Sequence, residues 1–298
     1  SMANSGKNVL SISRSSRVSD LFLPEKWAFA KKFVVPFKKI DLNSNLEELN
    51  DLVNDFRPEL VVNFAAQGMV AESWDNPVDW YQTNVLAQIS LHDVLRRSAN
   101  LKRYVHVTTP EVYGSADGWV KENIFFKPST PYAASRAACD LHLLTYYNGH
   151  NFPVVFTRAA NVYGAGQQLY RIIPRAIVAA LTGKKLNLHG GGLSERSFIH
   201  IKDVVTATLE LMGVEKEKIS TSGAYNLGSF ETSPEKWSNT ITSLGYRLKT
   251  TYKEDFRQKI ADSWPKKIDD SLFRSDIAWE PIYDERASVE DIIEQLAL

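Results

Sequence analysis

The chain runs to 298 residues and 33.6 kDa, the length of two domains or of one domain with a large elaboration. With 44% hydrophobic and 23% charged residues it has apolar material for a sizeable core, which excludes a disordered chain. Its 35 Lys and Arg balance 35 Asp and Glu, leaving no basic footprint for nucleic acid or membrane surfaces, and the lone Cys139 excludes an internal disulfide or a Cys-based zinc framework.

No apolar run approaches the roughly 18 residues of a membrane helix. Ser1-Met2-Ala3-Asn4-Ser5-Gly6 lacks the basic flank and apolar stretch of a signal peptide. A cytoplasmic globular protein is expected, in keeping with the sparing use of cysteine. In chain order, residues 9–12 read as a short strand and 33–37 as a second, limited by Pro36. Residues 42–56 carry apolar side chains at 42, 46, 49, 52, 53 and 56, the spacing of one helix face. Then come a strand at 60–64, a helix at 80–98, a strand at 103–108, a long helix at 132–147 and a strand at 154–156. Short strands separated by helices of this length predict βαβ units, right-handed crossovers and a doubly wound parallel sheet. Beyond about Tyr163 the texture changes to helices at 172–181, 203–212 and 234–244 joined by Gly- and Ser-rich loops, with few strong strands. Two units are therefore expected: 1–165, and 166–298 as mainly a smaller lobe with some segments returning to the sheet.

Tyr132-Ala133-Ala134-Ser135-Arg136 opens a helix after Pro131. Tyrosine and cation share a helix face at this spacing. A fixed positive charge favours phenolate and so lowers the phenol's pKa, as a general base near neutral pH requires. On spacing alone, an ordinary surface pair is the commoner explanation. Context alters that balance. Upstream, Val107-Thr108-Thr109-Pro110-Glu111-Val112-Tyr113-Gly114 runs from a strand into a polar turn; downstream lie Thr157-Arg158-Ala159-Ala160-Asn161-Val162-Tyr163-Gly164, then Arg196-Ser197-Phe198-Ile199-His200 and Tyr225-Asn226-Leu227-Gly228.

This ordered set resembles the extended short-chain dehydrogenase/reductase family, specifically its NAD(P)-dependent nucleotide-sugar epimerases and dehydratases, over about residues 7–230. The segment 108–114 looks most like that of the sugar-nucleotide 4,6-dehydratases. The resemblance implies that Thr109 holds the sugar 4-hydroxyl, Tyr132 takes its proton, and Glu111 removes the C5 proton before water leaves C6. It implies oxidation at C4 and hydride return to C6, with NADP or NAD recycled in each turnover. Simple 4-epimerases usually carry a small residue in place of Glu111, whereas decarboxylases on this fold share the Glu. An epimerase or decarboxylase is thus the alternative activity, and a catalytically silent sugar-nucleotide binder the alternative class. The resemblance places Asn161, Arg196 and Asn226 against the substrate. It places Ser13, Arg14, Asp41, Leu42, Phe64, Ala65, Ala66, Gln67, Asn84, Tyr132 and Arg136 along the cofactor. It also implies a homodimer through helices 80–98 and 132–149, with Leu91, Leu95, Leu141, Leu144 and Tyr146 as surplus apolar surface.

Three departures stand out. Pro110 replaces the acid that precedes the Glu in dTDP-glucose dehydratases, so Glu111 alone must handle the proton that leaves with the C6 hydroxyl. Arg136 replaces the family's Lys; it keeps the charge on a planar, permanently protonated group, and is counted with Thr109, Glu111 and Tyr132 as catalytic. No Gly-rich turn precedes Val9; residues 2–6 look like the end of the helix that should follow one, stopped by Gly6. The sheet is therefore expected to lack its first strand and Gly-rich turn. Where the family carries an acid for the adenosine ribose, Ser13-Arg14-Ser15-Ser16-Arg17 stands instead, which tilts the expectation toward NADP. His189-Gly190-Gly191-Gly192 imitates an oxyanion loop, but no G-x-S-x-G elbow accompanies it. The six histidines show no metal-ligand spacing, so no metal is expected, and His92 and His142 read as interface or surface residues.

Overall fold

Residues alternating in chemistry along a strand end up on opposite faces of the sheet, and here both faces are apolar. The computed structural model describes residues 2, 6–19, 22–23, 35–116, 118–189, 192–220, 223–253 and 264–297. Its main sheet contains β3 (Leu60–Asn63), β4 (Arg103–Val107), β6 (Val154–Ala159) and β10 (Ala224–Leu227). All pair in parallel, in the order β10-β6-β4-β3. Tyr104, Val154 and Phe156 join one core cluster with Leu49, Leu95 and Leu143. Their neighbours Val105 and Val155 face the other way, into a second cluster with Val204, Leu211 and Phe273. Helices therefore cover both faces, and the sheet is doubly wound as expected.

The first face is covered by α1 (Leu46–Phe56), α3 (Ala87–Arg96) and α4 (Pro131–His150), the second by α6 (Ile201–Gly213). The predicted helix 80–98 is interrupted: α2 (Pro77–Tyr81) passes through a π-helical turn, Gln82–Leu86, into α3. The long helix α4 starts where the Thr130 side chain accepts from Ala133 N, with Pro131 at its first position. It stops at Asn151, whose left-handed φ of 51° ends the helix.

β1 (Ser11–Ser13) and β2 (Phe37–Lys39) pair only with each other, and β3 is the edge of the main sheet among the described residues. The expected helix end at 2–6 lies largely outside the described residues, as do residues 33 and 34 of the predicted second strand and Gly190 and Gly191 of the oxyanion-like segment.

After Tyr163 the chain is richer in strands than expected. β7 (Asn161–Tyr163), β9 (Arg196–His200) and β11 (Phe230–Thr232) form one small sheet, and β8 (Lys185–His189) pairs with β12 (Lys249–Lys253). These strands hold three to five residues, too short for a strong periodic signal. Their apolar members, such as Leu186 and Leu188, pack with α5 (Ile172–Thr182), α7 (Pro234–Ser243) and the helix Glu285–Ala297 in a third cluster. A further pair, β5 (Trp119–Val120) with β13 (Lys267–Ile268), closes the structure beside the C-terminal ends of the main strands.

Candidate active site

The site begins where β4 runs out. Thr109 keeps extended backbone angles and caps a single 3-10 turn, Pro110–Tyr113, its hydroxyl accepting from Glu111 N at 3.3 Å. Pro110, the first departure, has a local role here: its ring presets the first position of that turn. The turn ends on Gly114, at φ 74°, where an added Cβ would lie 1.9 Å from the Lys127 carbonyl oxygen. Only glycine fits.

The helix α4 then brings Tyr132 to this turn. Its backbone N–H donates to Ser73 Oγ at 3.2 Å, and its phenol comes close enough to Thr109 for that hydroxyl to favour the phenolate. Burial pushes the Tyr132 phenol up to about 12, with the Glu111 carboxylate adding to that rise. Arg136 does pull the phenol downward, as do Thr109 and Arg171, but burial and Glu111 outweigh them. The expected depression of the tyrosine is thus corrected in the ligand-free chain: the cation acts in the right direction and loses to desolvation. Glu111 is pushed up to about 8 by burial, against the attraction of Arg171. Its Oε2 is sealed from solvent and has no hydrogen-bond partner among the described residues.

Arg136 is itself 1% exposed and reaches under β4, donating to the Val107 carbonyl and to His106 Nε2, the latter at 3.2 Å. Because a guanidinium can only donate, His106 Nε2 must be the acceptor, and Nδ1 carries the proton. That proton faces Tyr104 Oη at 3.3 Å, which in turn lies 2.9 Å from His92 Nε2. Burial, then Arg136, holds His106 well below the usual imidazole range, so it stays neutral. His92 is fully buried in this chain of contacts, which corrects the expectation of a surface role. Beyond His106 the polar network continues: Asp140 accepts from Arg158 at 3.0 Å, and Arg158 donates to Tyr113 Oη at 2.8 Å. His92, His106 and Cys139 offer ligand atoms within 4.8 Å of one another, a grouping that linear spacing hides. A cation there would meet Arg136, which already occupies His106.

The expected cofactor residues converge from four segments. Asn63 Oδ1 accepts from Ala65 N at 2.9 Å, Gln88 donates to Ala65 O at 3.0 Å, and Asn84 accepts from Gln67 N at 2.7 Å. Asn84 also donates to Ser135 Oγ at 3.0 Å, tying the loop to α4. Its position in the π-helical turn explains how a helical residue can face that loop. Phe64, Ala65 and Ala66 are left exposed, and Arg14 reaches Gln67 Oε1 at 3.4 Å. Asp41 accepts from Asn43 N, and Asn43 donates to Thr83 Oγ1 at 3.4 Å, next to Asn84. Leu42 packs against the first core cluster, and Ser13 is an exposed strand residue whose carbonyl accepts from Ile40 N. The buried Arg136 Nε and Nη1 lack hydrogen-bond partners among the described residues. The exposed 64–66 loop leaves surface open to the nicotinamide end of a dinucleotide, whereas those two Arg136 atoms are sealed from solvent.

On the substrate side, Thr109, Glu111, Asn161 and Arg196 line one cavity, together with Trp264 and Pro265. Asn226 does not reach it. Its Oδ1 accepts from Tyr113 Oη at 3.0 Å and its Nδ2 donates to the Val120 and Asp269 carbonyls, so it braces the back of the Glu111 turn. Sequence reading missed Ser73, Gln88, Asp140, Arg158 and Trp264. Arg158 alone had a signal, a charge inside an otherwise apolar strand.

A family model described as the NAD dependent epimerase/dehydratase family matches residues 1–228. A dTDP-D-glucose 4,6-dehydratase of Bos taurus is 32% identical over 214 residues, covering 71% of this chain and 57% of that protein. The trifunctional UDP-glucose 4,6-dehydratase/3,5-epimerase/reductase of Arabidopsis thaliana is 30% identical over 222 residues, covering 66% of this chain and 33% of that protein. The chain thus spans less than two thirds of the length of these curated relatives. Among solved structures, MoeE5 in complex with UDP-glucuronic acid and NAD superposes with a TM-score of 0.83 at 25% identity, covering 99% of this chain and 93% of that one.

Proposed function

Since the chain belongs to the NAD dependent epimerase/dehydratase family, we propose that it is a nucleotide-sugar 4,6-dehydratase in which Tyr132 and Glu111 divide the proton work. One observation carries this reading: a desolvated carboxyl, raised to about 8, stands in the field of the α4 tyrosine and on the same turn as Thr109. An epimerase has no use for such a base. The relatives named as 4,6-dehydratases support the same reaction.

A nicotinamide dinucleotide would be held by the 64–67 loop and Tyr132, with Arg136 as the fixed charge behind Tyr132, and would supply reversible two-electron chemistry when bound. NADP is favoured over NAD by Arg14. Thr109 orients the 4-hydroxyl of the hexose, and Tyr132 Oη accepts its proton, with Arg136 and Arg171 favouring the phenolate. Once C4 is a ketone the C5 hydrogen is acidic, and ionised Glu111 removes it. Glu111 then returns that proton to the departing C6 hydroxyl, so water leaves and the carboxylate is restored; return of the electron pair from C4 to C6 as hydride and of the Tyr132 proton to C5 then completes the 4-keto-6-deoxy sugar. Pro110 cannot take part, which leaves the acid and base duties on one residue. Asn161 and Arg196 hold the diphosphate. In this reading residues 1–165 bind the dinucleotide, residues 166–298 mainly bind the sugar nucleotide, and the enzyme works as a cytoplasmic homodimer.

The test is turnover of dTDP-glucose and UDP-glucose with analysis of the product. Wild type is expected to form a 4-keto-6-deoxy sugar, with kcat rising through a pH near 8 as Glu111 ionises. Tyr132→Phe should lower kcat on the order of 10²- to 10⁴-fold with little change in affinity. Glu111→Gln should still oxidise the sugar at C4, read as reduced-nicotinamide absorbance, while releasing no water. A 4-epimer as sole product, or full dehydration by Glu111→Gln, excludes the proposal.

A further inference from the structure

The polar atoms of the cavity beside Glu111 are not all provided for by the residues that carry the reaction. Its lining includes Trp264 and Pro265, which form a wall beyond the residues that the family model matches. This wall is held in place. Ser197 N donates to Lys266 O at 3.0 Å, Ile268 N donates to Ser197 Oγ at 3.1 Å, and Lys267–Ile268 pair with β5. Ser197 follows Arg196 on β9, so the anchor of the wall adjoins a residue of the cavity itself.

Glu111 Oε2 and Trp264 Nε1, on two residues of this cavity, are buried and have no hydrogen-bond partner among the described residues. The proposed chemistry uses the first. The second is a donor only, and a buried donor without an acceptor calls for an explanation. A ligand oxygen supplies one. The cavity holds about 80 Å³, well short of the roughly 300 Å³ or more of a complete ligand pocket, so it takes only one end of a nucleotide sugar. Because Thr109 and Glu111 line it, that end is the hexosyl group, with Asn161 and Arg196, also in its lining, left for the phosphate to which the sugar is attached.

We propose that Trp264 is a substrate-contacting residue that selects for the hexosyl group: its Nε1–H donates to a sugar oxygen and its indole walls the C–H face of the ring. An indole suits both tasks, since it offers a large apolar face and a single donor. The proposal rests on the nucleotide-sugar reading above and adds to it a residue that discriminates nucleotide sugar from bare nucleotide.

Calorimetric titration of the full chain with UDP-glucose, dTDP-glucose, UDP and dTDP, comparing wild type with Trp264→Phe and Trp264→Ala, tests it. Trp264→Phe keeps a ring and loses the donor, and is expected to weaken nucleotide-sugar binding about tenfold, the scale of one hydrogen bond. Trp264→Ala should weaken it further, while UDP and dTDP bind all three proteins alike. Thermal melting checks folding, and if Trp264→Ala does not fold, Trp264→Phe carries the comparison. Equal nucleotide-sugar affinity in wild type and Trp264→Phe, or equal losses for sugar nucleotide and bare nucleotide, overturns the role of Trp264. A wild type that binds none of the four overturns the nucleotide-sugar reading, and this proposal with it.

Discussion

A carboxyl that is cheap to ionise in water and costly to ionise in the fold ties stability to pH. Glu111 is such a group, raised from about 4.5 to about 8. The folded chain binds this proton more tightly than the unfolded chain, so the associated stability is full below about pH 4.5, declines as pH rises, and is gone above about 8. Glu111→Gln should therefore melt like wild type near pH 4.5 and at a higher temperature than wild type above pH 8. An identical melting difference at both ends would show that Glu111 is not desolvated. Arg158 presents the opposite case, a buried cation with a partner. It pairs with Asp140 at 3.0 Å, both side chains being almost fully buried. Arg158→Met strands the carboxylate and should cost about 3–5 kcal/mol by denaturant unfolding, part of which Asp140→Leu should restore.

At the scale of elements, the site depends on how one strand ends and one helix starts. The 3-10 turn Pro110–Tyr113 is held at its front by the Thr109 cap and at its back by Asn226 through Tyr113. Gly114 closes it at φ 74°, hard against the Lys127 carbonyl. Gly114→Ala should move this turn, lowering stability by about 1–3 kcal/mol and activity more than affinity for nucleotide. A variant with wild-type melting and kcat would show the turn to be tolerant. The motif was legible in sequence because its residues are contiguous. The π-helical turn was not, since an extra residue per turn leaves no mark on composition. Its effect is to rotate Asn84 toward Gln67 and Ser135.

For the whole molecule, the open question is what covers the outer faces of α3 and α4. Of the residues expected at a dimer interface, Leu91 and Leu95 are 6% and 2% exposed and belong to the core, so they have no apolar surface left to offer. Leu141 is 47% exposed, and Leu144 and Tyr146 are partly buried at the edge of the first cluster. The exposed apolar side chains that the two helices leave for the proposed homodimer are Leu141 on α4 and Tyr81 and Leu86 ahead of α3. Sedimentation at micromolar concentration should show a dimer, and Leu141→Glu should yield a monomer with unchanged far-ultraviolet circular dichroism. A monomeric wild type would remove the dimer from the proposed function.

Sequence alone determined the alternation of strand and helix, the doubly wound sheet, and the placing of Thr109 and Glu111 at a strand end and of the Tyr132–Arg136 pair at a helix start. All of these are written within one or two turns of chain, where periodicity and spacing translate directly into geometry. What only the tertiary structure decided depends on partners far apart in sequence. The sense of the Tyr132 shift turns on burial, which no i,i+4 spacing contains. Arg136 reaches His106 across 30 positions, and Asn226 braces Tyr113 across 113. Trp264 and Glu111 line one cavity although they lie far apart in sequence. Desolvation and long-range hydrogen bonding are properties of the packed chain, and a linear reading has no coordinate in which to express them.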